Sequence, residues 1–281
     1  MTATIDHSVD HVPGHGPADH GSVDHGSVGR GSATAPVPRR DVSRAPARPG
    51  PRTPARRGLF GTSAGRKAVM AVTGAVLVLF LLGHMLGNLK IFLGAGSFNH
   101  YADWLRTVGS PALPDRTLLT ITEIVLVLAV ALHMWAAVSL ARRAAKARPV
   151  KYAAKRRSQA GGYATRTMRY GGVIIVLFVI WHLLDMTFGT VNPGGGDATP
   201  YDRMIAGFQP GRWWVGLFYL VAMVMIGLHL RHGLWSAFQS LGLTRRPRVR
   251  NALRAGAAVV SAVLVVGFVA APVCIMIGVV K

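Results

Sequence analysis

Five long apolar stretches, at about residues 68–93, 118–141, 171–189, 213–242 and 253–280, dominate this chain of 281 residues. Each approaches or exceeds the roughly twenty residues that cross about 30 Å of hydrocarbon at a rise of 1.5 Å per residue. Hydrocarbon supplies no hydrogen bonds, so a segment crossing it must satisfy its own backbone, and it does so as a helix. With 51% hydrophobic side chains and a mean hydropathy of +0.35, the sequence is too apolar for an ordinary soluble domain. The expectation is an all-α membrane protein with five transmembrane helices. Five is odd, which puts the two termini on opposite sides.

A net charge of +21 raises the question of nucleic acid, and the distribution of that charge answers it. Lys and Arg number 9 in 38–67, 10 in 142–169 and 5 in 243–254, against 2 in 94–116 and 2 in 190–212. Basic loops alternate with loops that are not basic, which is the pattern of membrane topology. It predicts a cytoplasmic N-terminus, an outer C-terminus and residence in the plasma membrane. A nucleic-acid surface would not alternate with membrane crossings, so no nucleic acid is expected as a partner.

Residues 1–58 differ in kind from the remainder. They are rich in Gly, Pro, Ala, Ser and His, repeat Asp-His-Gly-Ser-Val at 19–23 and 24–28, and hold no apolar run able to form a core. This segment reads as a disordered cytoplasmic tail, leaving 59–281 as the membrane domain. Its five histidines, His7, His11, His15, His20 and His25, read as solvated low complexity. The pair Arg39–Arg40 lacks the adjoining hydrophobic stretch of a twin-arginine signal, and no cleaved signal peptide is expected. The single cysteine, Cys274, lies in the last span and reads as a small apolar residue. Any electron carrier held by this chain therefore needs ligands other than thiolate.

Histidine is the remaining ligand type, and its placement is regular. His84, His133, His182 and His229 fall one apiece on the first four spans, at separations of 49, 49 and 47 residues. An imidazole in hydrocarbon is costly and has few uses. Depth sorts the four into pairs. His84 is 17 residues beyond Lys67 and His182 is 13 beyond Arg169, about 25 and 20 Å from the inner face. His133 and His229 are each 16 residues, about 24 Å, from the outer face, counted from Thr117 and Trp213. One histidine in a span is often a packing residue. Four on four helices in two depth-matched pairs instead suit axial ligation of two haem irons, each held by imidazoles from facing helices. His84 with His182 makes an outer site, and His133 with His229 an inner one. His232 follows His229 at i+3 on the same face, and depth alone does not separate the two.

Local sequence around these histidines adds to the pattern. Gly83-His84-Met85-Leu86-Gly87-Asn88, Trp181-His182-Leu183-Leu184-Asp185 and Gly227-Leu228-His229-Leu230-Arg231-His232-Gly233-Leu234-Trp235-Ser236-Ala237-Phe238-Gln239 resemble the single-chain, five-helix, two-haem cytochrome b anchor of succinate dehydrogenases and fumarate reductases. The resemblance covers about residues 60–281. It implies two b haems, held by His84 with His182 and by His133 with His229, and it favours His229 over His232 as the fourth ligand. It also implies flavoprotein and iron–sulfur partner subunits on the cytoplasmic side, with room for a small extra membrane subunit. Electrons from succinate would pass by way of the haems to a membrane quinone such as menaquinone, while succinate itself is oxidised on another subunit. Fumarate reduction by the same kind of complex is the alternative, and a di-haem cytochrome of another membrane dehydrogenase a more distant one. Some fumarate reductase anchors carry a glutamate two positions before the fourth histidine. This chain has Gly227 there, which favours the succinate-oxidising direction.

Polar residues elsewhere in the spans are few. Arg231 is placed to pair with haem propionates or to reach the headgroups. Asp185, Asn88 and Lys90 gather at the outer ends of their helices, with His100 in the following loop, and are expected around an outer quinone pocket. Glu123 sits close enough to the interface to be solvated. Trp213 and Trp214 read as interfacial anchors in contact with lipid headgroups.

Overall fold

The structure, a computed structural model, describes residues 58–147 and 162–281. The tail at 1–57, with its five histidines, and residues 148–161 in the second basic segment lie outside the described residues. The described part contains seven α-helices and no strand. They are α1 (Ser63–Leu89), α2 (Gly94–Thr107), α3 (Thr117–Lys146), α4 (Gly162–His182), α5 (Pro200–Gly207), α6 (Trp213–Ser240) and α7 (Pro247–Met276). Five of them, α1, α3, α4, α6 and α7, are long and apolar enough to cross a membrane. They correspond one for one to the five apolar stretches, so the chain is an all-helical, multi-pass membrane protein.

The helices overrun the apolar windows at the end where α1 begins, here called the near end. α1 starts at Ser63 rather than 68, α3 runs on to Lys146, and α7 starts at Pro247. The added turns carry Arg66, Lys67, Arg142, Arg143, Lys146, Arg248 and Arg250, whose long stems let a helix continue through the headgroup layer with its charges in water. Thr62 caps α1 by accepting from the Gly65 N–H at 3.0 Å, and Pro247 opens α7 at a position that has no N–H to satisfy. Arg143 ties two helices together at this end, donating to the Gly61 carbonyl at 2.8 Å and to Ser63 Oγ at 3.3 Å.

Helix α6 is the centre of the bundle, packed against α4, α7 and α1, while α1 also packs against α3 and α7. Its buried residues, Val215, Gly216, Tyr219, Ala222, Met223, Ile226, Gly227 and Leu230, recur at helical spacing and form the face turned to its neighbours. Small residues on that face let backbones approach. A Cβ on Gly227 would lie 2.5 Å from Val265 Cγ2 on α7, inside any real contact distance. The glycine at this position is thus part of how α6 and α7 pack. Gly227→Leu is expected to destabilise the bundle by about 1–3 kcal/mol through overpacking, read as a lower unfolding temperature in detergent.

Two short helices, α2 and α5, cover the opposite, far end of the bundle, in segments expected to be loops. Their apolar residues are too few to mark a span, and each instead buries one side, with Phe98 of α2 against Tyr201 of α5 at a ring separation of 6.2 Å. Thr199 caps α5 by accepting from Asp202 N–H at 3.2 Å, with Pro200 in the first turn. Arg203 then holds the covering segment together: its guanidinium donates to the carbonyls of Met186, Thr187, Gly196 and Ala198 at 2.7–3.0 Å. Tyr201 fastens the cap to its surroundings, through its N–H to Asn99 Oδ1 at 3.1 Å and its hydroxyl to the Lys281 carbonyl at 2.7 Å.

Candidate functional site

The four histidines converge in two pairs, each joining helices that are not among the closely packed pairs of the bundle. His84 on α1 and His182 on α4 have ring centroids 5.8 Å apart with planes at 83°. His133 on α3 and His229 on α6 are 6.3 Å apart with planes at 61°. These are the pairings that depth arithmetic predicts. Metal–imidazole bonds run about 2.0–2.1 Å and a ring nitrogen lies about 1.1 Å from its centroid, so two imidazoles on one metal stand roughly 6.3 Å apart. The donor set fits haem iron: two neutral imidazoles per site, facing each other across separate helices.

Surroundings of the near pair explain how its rings are set. Thr73 Oγ1 donates to the Val69 carbonyl at 2.7 Å, which leaves its oxygen to accept from His133 Nδ1 at 3.2 Å. That fixes the tautomer with the lone pair on Nε2, the arrangement a ligating histidine takes. Gly74 makes room for the same ring, since a Cβ there would lie 3.3 Å from the His133 ring. His229 Nδ1 is buried without a hydrogen-bond partner. His232, the rival on the same helix, turns its Nδ1 to the Leu228 carbonyl at 2.9 Å, one turn back. The residue facing His133 is therefore His229.

The far pair is boxed by aromatic rings. Phe80 stacks on His84 at 5.2 Å and Phe178 on His182 at 5.7 Å, and Phe268 of α7 closes on His84 at 5.7 Å. Immediately after His182 the helix widens into a single π turn, Leu183–Thr187, closed by Phe188 N–H donating to the Leu183 carbonyl at 2.8 Å. Such turns are often found at functional positions. This one carries Asp185.

Asp185 is completely buried, which distinguishes it from a carboxylate at the water interface. Its Oδ1 takes Arg212 Nη1 at 3.3 Å and Asn192 Nδ2 at 3.1 Å, and its Oδ2 accepts from the Tyr219 hydroxyl at 3.3 Å. Tyr219 also meets His182 Nδ1 at 3.4 Å, so Asp185 and His182 do share the face turned to α6. Arg212, itself nearly buried, makes further contacts with the carbonyls of Gly207 and Val191 at 3.4 and 3.2 Å. A buried charge needs this degree of compensation.

Other residues singled out in the sequence are placed apart from this network. Lys90 lies over the Tyr101 ring at 5.4 Å, and His100 is exposed. Asn88 is half-buried, and no contact among the described residues joins it or Lys90 to Asp185. Arg231 is exposed, at the surface of α6. Glu123 forms an exposed pair with Arg116 at 3.8 Å. Trp214, half exposed, lines with Trp181 and Phe218 an open depression of about 200 Å³ at the far end, and the Trp181 indole nitrogen is buried without a partner.

Thr73, Asn192, Arg212 and Tyr219 were not marked by sequence reasoning. Tyr219 was within its reach. It lies 6 residues beyond Trp213, about 9 Å from the far face, level with His182 at 5 residues from Thr187.

Residues 144–271 match the family described as succinate dehydrogenase/fumarate reductase transmembrane subunit. The matched stretch holds His182, His229 and His232, while His84 and His133 lie outside it and are brought to their partners by the fold. No curated protein and no solved structure matches the chain.

Proposed function

We propose that this chain, whose residues 144–271 match the succinate dehydrogenase/fumarate reductase transmembrane-subunit family, is the di-haem cytochrome b anchor of a succinate:quinone oxidoreductase. The observation that carries this is the pair of facing histidine couples, with centroids 5.8 and 6.3 Å apart. His84 and His182 would hold one b haem, and His133 and His229 the other. Haem bound in this way supplies two one-electron carriers between an iron–sulfur partner and a membrane quinone.

The chain's own residues have roles around these groups. Thr73 orients His133, and Gly74 leaves space for its ring. Basic residues at the near end, with Arg231 beside His229 in sequence, favour a cytoplasmic side there, where flavoprotein and iron–sulfur subunits would dock. The open aromatic depression of Trp181, Trp214 and Phe218 suits a quinone ring at the far end, with Trp181 one residue from His182 in sequence. The absence of a glutamate at 227 favours succinate oxidation over fumarate reduction.

Electrons that enter at the cytoplasmic side and leave at an outer quinone move with the field of an inside-negative membrane. That field contributes about 2.3 kcal/mol per charge per 100 mV, enough to help succinate reduce a low-potential quinone such as menaquinone. An uncoupler added to well-coupled cells is expected to slow succinate-to-quinone turnover, and an unchanged rate would count against this direction of transfer. The central test is a reduced-minus-oxidised spectrum and haem assay of the purified complex, expected to give two b haems per chain. His232→Ala should keep both haems and His229→Ala lose one. A complex without haem ends the proposal.

A further inference from the structure

We infer that Tyr219 and Asp185 are positioning residues that make His182 a stronger donor than the other ligands, an inference that rests on the two-haem reading above. The phenolic oxygen of Tyr219 has two polar neighbours, Asp185 Oδ2 at 3.3 Å and His182 Nδ1 at 3.4 Å. A phenol has one proton and an ionised carboxylate only accepts, so the hydroxyl donates to Asp185 and its oxygen receives Nδ1–H of His182. The chain then runs from His182 through Tyr219 to a carboxylate that Arg212 and Asn192 hold at 3.3 and 3.1 Å. Its anionic end pulls the Tyr219 proton outward and makes the oxygen a better acceptor. The imidazole gains electron density, leaving Nε2 free for the metal and more strongly donating.

The near site lacks this backing. His133 meets Thr73, whose hydroxyl donates to a neutral backbone carbonyl at 2.7 Å, and His229 Nδ1 has no partner. The two metal sites therefore differ in the support behind their ligands, although the ligands are the same in kind. A stronger donor favours the oxidised metal, so the Tyr219–Asp185 chain lowers the reduction potential at the far site and leaves the near site untouched.

Tyr219→Phe in the whole complex tests this, because the ring stays in its aromatic packing against Phe178 and Phe208, at 5.0 and 4.8 Å, while the hydroxyl goes. Redox titration followed optically is expected to show both haems retained, the far-site midpoint shifted upward and the near-site midpoint unchanged. The double variant Asp185→Asn, Arg212→Gln removes both buried charges together and weakens the same chain from its other end; a smaller upward shift is expected. Either variant carrying two haems with an unmoved far-site midpoint overturns the inference and leaves the two-haem reading standing. A wild-type complex without haem brings down both, and haem content measured before the titration separates the cases.

Discussion

On the proposed two-haem reading, replacing His182 with alanine is expected to take one of two haems from the complex and bring succinate-to-quinone turnover to background, while succinate oxidation by an artificial acceptor at the soluble subunits continues. The same result is expected for His84→Ala, because the two rings face each other across 5.8 Å and neither makes a ring contact with another imidazole among the described residues. His133→Ala and His229→Ala should remove the other haem, and each such variant should keep the spectrum of the site that was not changed. His232→Ala is the internal control, since its Nδ1 is already engaged by the Leu228 carbonyl at 2.9 Å. Haem stoichiometry read alongside artificial-acceptor activity distinguishes loss of a carrier from loss of assembly. Retention of two haems in both His84→Ala and His182→Ala would show that the far couple binds no metal.

These pairings were legible in the sequence because depth in a membrane is a one-dimensional coordinate. Apolar windows fix where each span starts, a constant rise converts residue number into height, and histidines at matching heights on different spans are candidates to meet. His229 against His232 stayed open for the same reason: three residues differ little in height, and the choice is one of azimuth. The structure settles which ring faces His133 through side-chain direction, which spacing does not encode. Asp185 shows a different limit. Near the end of an apolar window a carboxylate is expected in water, and only the cap formed by α5 and the segment held by Arg203 buries it. That cap comes from residues too polar to read as a span and too short to read as a domain. Arg212, marked in sequence only as one of two basic residues in a sparsely charged loop, becomes the counter-ion that makes the burial tolerable.

Asp185→Ala is expected to be the most destabilising single change outside the four paired histidines. It leaves the Arg212 guanidinium, about nine-tenths buried, facing no anion, and it takes away the acceptor of Asn192 Nδ2 and of the Tyr219 hydroxyl at once. Breaking a buried pair from one side costs about 3–5 kcal/mol, because the remaining charge stays desolvated. Arg212→Ala should be similar, with Asp185 stranded in its place. Removing both charges in favour of apolar side chains, as in Asp185→Leu with Arg212→Met, should recover much of that loss, since a buried pair gains little over well-packed hydrophobic residues. Glu123→Ala provides the comparison at the same end of the bundle. Its partner Arg116 lies 3.8 Å away with both side chains more than half exposed, and its loss should cost about 0–1 kcal/mol. Thermal unfolding of the purified complex in one detergent, followed for the two single variants and the double, gives the coupling between the charges directly. A double variant whose loss equals the sum of the two single losses would mean Asp185 and Arg212 do not compensate each other. A single variant that melts like the Glu123→Ala control would mean water reaches Asp185.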